Sequence, residues 1–189
     1  MSRRYGPSPC AAVIALAIAA AMGLASVPVP VAAGSPTEHQ VKAAFLYNFA
    51  NFVEWPPAAL GPAGTPLKVC VIGADPFGGV LDEAFRDQVV QGRKVQIVRG
   101  QTLEALGRCH ILFLPQSEQG RWKDLVRELH GTPTLTVADG PPLARQGGII
   151  NFVIEAQRVR FEINPIAAEQ SGLRISSKLL TLAKVVASS

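Results

Sequence analysis

Three short segments hold the side chains best suited to chemistry. Ser176-Ser177-Lys178 sets two hydroxyls beside an amine, as in Ser–Lys hydrolases. Their S-x-x-K spacing is missing, and a helix N-cap accounts for the serines. Gly73–Gly79 lies at a strand-to-helix turn, where α/β folds hold phosphates on backbone N–H groups. It does not give G-x-G-x-x-G and no G-K-[ST] follows, so a tight turn into a capped helix is the plainer account. Asp82 and Glu83 are adjacent on a helix, so their carboxylates diverge and cannot share a proton. His39, His110 and His130 are scattered. Asp139-Gly140-Pro141-Pro142 reads as a turn after a strand. G-x-S-x-G and H-E-x-x-H do not occur. With no nucleophile–base set, the sequence reads as a non-enzyme with no catalytic residues, no metal site and no cofactor.

Cysteine chemistry is the other possibility. Cys70 and Cys109 sit in the apolar runs Leu67–Ile72 and Cys109–Leu114. In an oxidising compartment an even count favours a disulfide, with two buried free thiols or a metal pair as the alternatives. A metal would need more ligands nearby, and His110 on a strand points away from Cys109.

The compartment is set by the N-terminus. Arg3 and Arg4 precede an apolar run, Ala11–Ala25, and Val31-Ala32-Ala33 supplies small residues at a cleavage position. Residues 1–33 are expected to be a signal peptide cut after Ala33. A retained anchor is the alternative, but the run is short, Ala-rich and followed by Pro28 and Pro30. Arg3-Arg4 lacks the continuation of a twin-arginine signal, and Cys10 precedes the apolar run rather than following it. Removing 33 of 189 residues leaves 156, one domain's worth, residues 34–189. Losing Arg3 and Arg4 lowers the formal charge from +4 to +2, so the charge balance gives no case for nucleic acid.

The elements that must position these residues follow from periodicity. Residues 38–53 show helical spacing, with Val41, Ala44, Phe45, Asn48, Phe49 and Phe52 on one stripe, ended by Trp55-Pro56-Pro57. Strands are expected at Leu67–Ile72, Val95–Val98, Cys109–Leu114 and Thr134–Ala138. Helices are expected after the Asp75-Pro76 cap, at Thr102–Leu106 and at Glu118–His130. Ile150–Ile154 is apolar apart from Asn151, while Val159, Phe161 and Ile163 alternate with polar residues. These two runs predict a hairpin across Glu155-Ala156-Gln157, and Ser176–Val186 a last helix. The expected fold class is α/β: one domain with a mostly parallel sheet, helices on both faces and a C-terminal β-hairpin at the edge.

Four pieces in register resemble a known family. They are residues 41–49 with Val53-Glu54-Trp55-Pro56, residues 70–78, residues 109–113, and the stretch from Gly147-Gly148-Ile149 to Ser176-Ser177-Lys178-Leu179-Leu180. Together they resemble the YfiR-like family of secreted bacterial proteins across essentially all of the mature chain. The resemblance implies a periplasmic α/β regulator that binds the sensor region of an inner-membrane diguanylate cyclase and holds it inactive, lowering cyclic di-GMP and biofilm formation. It also implies a Cys70–Cys109 disulfide. The second cysteine pair of some members is absent, and Ala156-Gln157 stands where many relatives have Asp-Gly or a similar turn.

Such a protein needs one preformed patch that prefers the inactive partner. The exposed face of the hairpin and the next helix is where it is expected, with Phe152, Glu162 and Ile166 as candidates, although Phe152 and Ile166 also read as core residues. Glu162 alternates with Val159, Phe161 and Ile163, which places it outward and makes charge reversal there nearly neutral for folding. Arg158, Arg160 and Arg174 offer partner charges or a solvated face. A homodimer is compatible with the chain. The second reading is a sensor of a nucleotide or metabolite in the crevice near Gly73–Phe77 and Pro115–Ser117. A hydrolase is the third.

Overall fold

A computed structural model describes residues Ser35–Ser188. The expected signal peptide and its cleavage site lie outside the described residues. Among the described residues no helix is long and apolar enough to cross a membrane.

The first element among the described residues is α1 (Glu38–Phe52), whose Thr37 and Gln40 form a capping box, followed by β1 (Val53–Glu54) and α2 (Pro57–Leu60). The helix buries Lys42, Ala43, Leu46, Phe49 and Ala50, while Ala44 and Asn48 face solvent. The buried stripe is therefore rotated from the one read in the sequence. A cation at position 42 hid it, because Lys42 is buried as part of an ion cluster rather than solvated.

The central strands are β2 (Leu67–Ile72), β4 (Arg93–Gly100), β5 (Ile111–Leu114), β6 (Leu135–Ala138), β7 (Ile150–Glu155) and β8 (Arg158–Ile163). Two short edge strands complete the sheet, β3 (Val89–Val90) and β10 (Lys184–Val185), while β9 (Arg174–Ile175) pairs only with β1. The order across the eight-stranded sheet is β10-β8-β7-β6-β5-β2-β4-β3. Pairing is parallel from β4 through β7 and antiparallel at the β3–β4 and β7–β8 hairpins. The fold is the expected α/β domain with a mostly parallel sheet. Its hairpin lies at one end, with β10 covering only Glu162 and Ile163 of β8.

Connections supply both layers. On one face α1, α3 (Gly79–Phe85), α6 (Pro165–Gln170) and α7 (Ser177–Leu182) pack residues such as Phe49, Leu81, Ala168 and Leu179 against Val69, Val71, Phe113 and Phe152. On the other, α4 (Leu103–Leu106), α5 (Trp122–Glu128) and the 3₁₀ turn Leu143–Gln146 cover Cys70, Ile72, Leu112 and Leu114. Several elements differ from expectation. Asp75 closes a turn by accepting from the Phe77 N–H, and the helix starts only at Gly79. The segment expected as helix 118–130 splits into a 3₁₀ turn, Gln116–Arg121, and α5. The last helix stops at Leu182, and the chain continues as β10 parallel to β8.

Both hairpins turn on two residues with positive φ, Gln91-Gly92 and Ala156-Gln157. Glu155 pairs with Arg158, so Ala156 (φ 47°) and Gln157 (φ 60°) make a type I′-like turn from residues that resist the left-handed region. The double change Ala156→Asn with Gln157→Gly is expected to stabilise the protein by about 1 kcal/mol, read as a higher denaturation midpoint in urea.

Candidate functional site

The carboxyl ends of β2 and β5, where the chain switches sides of the sheet, are where an open α/β fold usually holds a ligand. Here the protein's own side chains occupy them. A Cβ placed on Gly73 would lie 2.3 Å from Glu118 Oε1, so the carboxylate rests directly on that glycine. Glu118 pairs with Arg121 at 2.8 Å. Arg99 donates to Asp75 at 2.7 Å and to Asp82 at 2.6 Å, and it also reaches the Gly78 carbonyl. The Arg99 hydrogen bond holds the Asp82 carboxyl below its ordinary value. Lys42, nearly inaccessible, bonds Glu38 and Asp139, and its ammonium lies 5.9 Å from the Phe152 ring centre. Burial pulls the Lys42 pKa down, but its bonds to Asp139 and Glu38 outweigh this and raise it. A phosphate on Gly73 would have to displace an anion, so this geometry weighs against the nucleotide crevice.

The Ser-Ser-Lys segment is structural. Ser176 is the N-cap of α7, and its hydroxyl accepts from the Leu179 N–H at 3.3 Å. Ser177 and Lys178 are exposed on the first turn. Among the described residues, no group of three or more His, Cys, Asp or Glu could hold a metal.

Cys70 and Cys109 are joined in a disulfide with Cα atoms 5.9 Å apart. It ties the middle of β2 to the turn entering β5, since the strand begins at Ile111 rather than at Cys109. Closing a loop of 39 residues removes about 4 kcal/mol of unfolded-chain entropy in the loop-closure account. Beside it His110 is buried. Its Nδ1 accepts from the Lys68 N–H at 2.9 Å, and its Nε2 lies 3.2 Å from the Ala59 carbonyl. That pairing requires a neutral ring protonated on Nε2.

The residues proposed for partner contact fall into two groups. Phe152 is buried at 1% exposure and stacks on Phe49. Glu162 is also buried, at 4%, which corrects the expectation of an outward side chain. Alternation does put it on the face opposite Phe161, but that face is covered by the Leu143–Gln146 turn, and Lys184 reaches it from the neighbouring β10. Glu162 bonds Arg145 at 3.0 Å and Asn151 at 3.4 Å, with Lys184 at 3.5 Å. Ile166, by contrast, is 53% exposed, on α6 directly after the hairpin. Arg158, Arg160 and Arg174 are exposed.

A buried polar cluster surrounds Glu162 that periodicity did not disclose. Asn151 is its direct cross-strand partner, and Asn151 Oδ1 accepts from the Ala144 N–H at 2.9 Å. Asn164 caps α6, donating to the Ala144 carbonyl and Ser188 Oγ, both at 2.8 Å. The available signal was Asn151, the single polar residue in an apolar strand. Beyond α6, an open groove of about 870 Å³ runs from Trp55-Pro56-Pro57 to Pro165, Glu169 and Arg174.

Fold and site together define a disulfide-stapled α/β domain whose described polar clusters fasten one element to another. The sequence matches the family described as YfiR/HmsC-like over residues 39–184, and the chain belongs to that family. The family is one of periplasmic regulators.

Glu162→Arg would set a third cation beside Arg145 and Lys184 in a buried position. It is expected to cost on the order of 3–5 kcal/mol, measured by chemical denaturation, with Glu162→Gln much milder. Burial pushes the Glu162 carboxyl up, but the Arg145 and Asn151 bonds and the nearby cations outweigh it and hold the pKa low.

Burial lowers the His110 pKa from the ordinary 6.5, reinforced by the Arg93 and Lys68 charges and opposed by the Ala59 bond. The unfolded chain then binds more protons between that value and the folded one. Stability contributed by His110 is present above about pH 6.5 and declines as pH falls below it. Thermal midpoints at pH 7.5 and 5.5 should show a steeper loss in the native protein than in His110→Gln.

Proposed function

We propose that this protein restrains the sensor region of an inner-membrane signalling enzyme, a diguanylate cyclase, and so lowers cyclic di-GMP. The observation that supports this most is membership of the YfiR/HmsC-like family across residues 39–184. The disulfide fits an oxidising compartment, in keeping with periplasmic residence after signal-peptide removal.

In this reading the contact surface is α6 with the groove beside it. Ile166 stands on a short helix whose Asn164 cap is fully buried, so its position is fixed before a partner arrives. The adjoining groove carries Arg174 and Glu169 at its polar edge. Phe152 and Glu162 serve the same surface from beneath, by holding the hairpin and the residue 143–146 turn in place. Inhibition follows if the surface binds the inactive sensor conformation more tightly than the active one.

Ile166→Asp and Arg174→Glu change exposed side chains, so each should keep folding stability within about 0.5 kcal/mol. Each should weaken co-purification with the cyclase's periplasmic region at least tenfold. Gene deletion should raise cellular cyclic di-GMP, with restoration by the unaltered gene but not by Ile166→Asp. Unchanged cyclic di-GMP and surface attachment after deletion would remove the cyclase as partner.

A further inference from the structure

The amino ends of the sheet strands hold a second feature that the regulator reading does not use. A pocket of about 440 Å³ opens between α2, α4 and the loops entering β5 and β6. That volume lies within the range of small-molecule sites, roughly 300–1,000 Å³. Its walls are aliphatic: Ala58, Ala59, Leu103, Leu112, Leu129 and Pro133. The polar groups between them are spent on the protein itself. His110 Nε2 faces the Ala59 carbonyl, Thr134 Oγ1 donates to the Cys109 carbonyl, and Thr132 Oγ1 donates to the Leu129 carbonyl. A sugar or nucleobase would therefore find few partners here. A flexible apolar chain would gain the burial of its methylenes.

One charge in the lining stands apart. Arg108 is exposed and lines the pocket, and none of the ion pairs among the described residues involves it. No Asp or Glu lines the pocket with it. We propose that this pocket binds the anion of a medium-chain aliphatic carboxylic acid, with the chain among the aliphatic walls and the carboxylate on the Arg108 guanidinium. Cys109 is part of the same wall, so an occupant also covers one sulfur of the disulfide.

Calorimetric titration of the purified protein with hexanoate, octanoate and decanoate tests this. One molecule should bind per chain, with affinity rising on the order of tenfold for each two methylenes. Arg108→Gln should weaken octanoate about fivefold to tenfold and leave 1-octanol unchanged. Ala58→Trp fills the pocket from an exposed position; it should abolish binding while the thermal midpoint stays near the native value. Octanoate should also slow reduction of the disulfide by dithiothreitol. Absence of saturable binding at millimolar octanoate overturns the proposal. So does equal octanoate affinity in Arg108→Gln, which removes the anion contact, or in a folded Ala58→Trp, which removes the location.

Discussion

The central parallel strands are covered on both faces, and that requirement decides where polar side chains can stand. A parallel sheet reached by crossovers has no solvent side, so a polar residue on it must find its partners inside the protein. The same holds at the antiparallel hairpin that ends the sheet: Asn151 of β7, Glu162 of β8 and Asn164 just past β8 are all buried, and each bonds a neighbouring element. Among the described residues no buried side-chain nitrogen or oxygen lacks a partner. The bonds run to the Leu143–Gln146 turn, to β10 and to the C-terminal residues, and they add to the burial of Leu143, Ala144 and Val186. Short segments are thus held by polar contacts made in a dry setting, where a missing partner is expensive.

The same requirement explains which elements were legible in the sequence. The strands Leu67–Ile72 and Thr134–Ala138 are nearly continuous apolar runs bounded by turn residues, and they lie within a residue of where periodicity put them. The α1 helix was legible but its face was not, because Lys42 is buried and counts as polar in any hydropathy pattern. Glu162 failed for a related reason. Period two assigns a face but does not say whether that face is wet, and the cover comes from residues about 20 positions away in either direction. The β10 strand was invisible locally: Lys184-Val185 has no strand signal of its own and exists because β8 offers an edge. Asp75-Pro76 carried strong capping residues, yet Gly78 at φ 53° breaks the turn and delays the helix.

The carboxyl ends of the strands are filled with the protein's own paired charges. Glu118 on Gly73, Asp75 with Arg99, and Asp139 with Lys42 occupy the positions from which related α/β architectures reach ligands. Each pair joins segments from different crossovers: α1 to the loop after β6, and the loop after β2 to the end of β4. A site whose charges are already matched within the protein gains little from an incoming ion. These pairs act as fasteners between layers, and the domain's available surfaces are displaced to its other margins.

Those margins share a physical design. Ile166, Leu182 and Val185 are large apolar residues at 53–66% exposure, all on short elements after the hairpin. Single exposed hydrophobes are ordinary on a protein surface. What distinguishes Ile166 is the stiffness beneath it. Asn164, two residues earlier, is fully buried and reaches α6, the Ala144 carbonyl and Ser188 at once. A side chain mounted on such a hub loses little freedom on contact, so more of its burial energy is left to discriminate between partner conformations. A regulator acting by population shift depends on that difference in affinity rather than on total contact area. In the proposed reading the buried Asn151–Glu162–Asn164 cluster serves the contact surface as well as stability, because it holds α6 in one position.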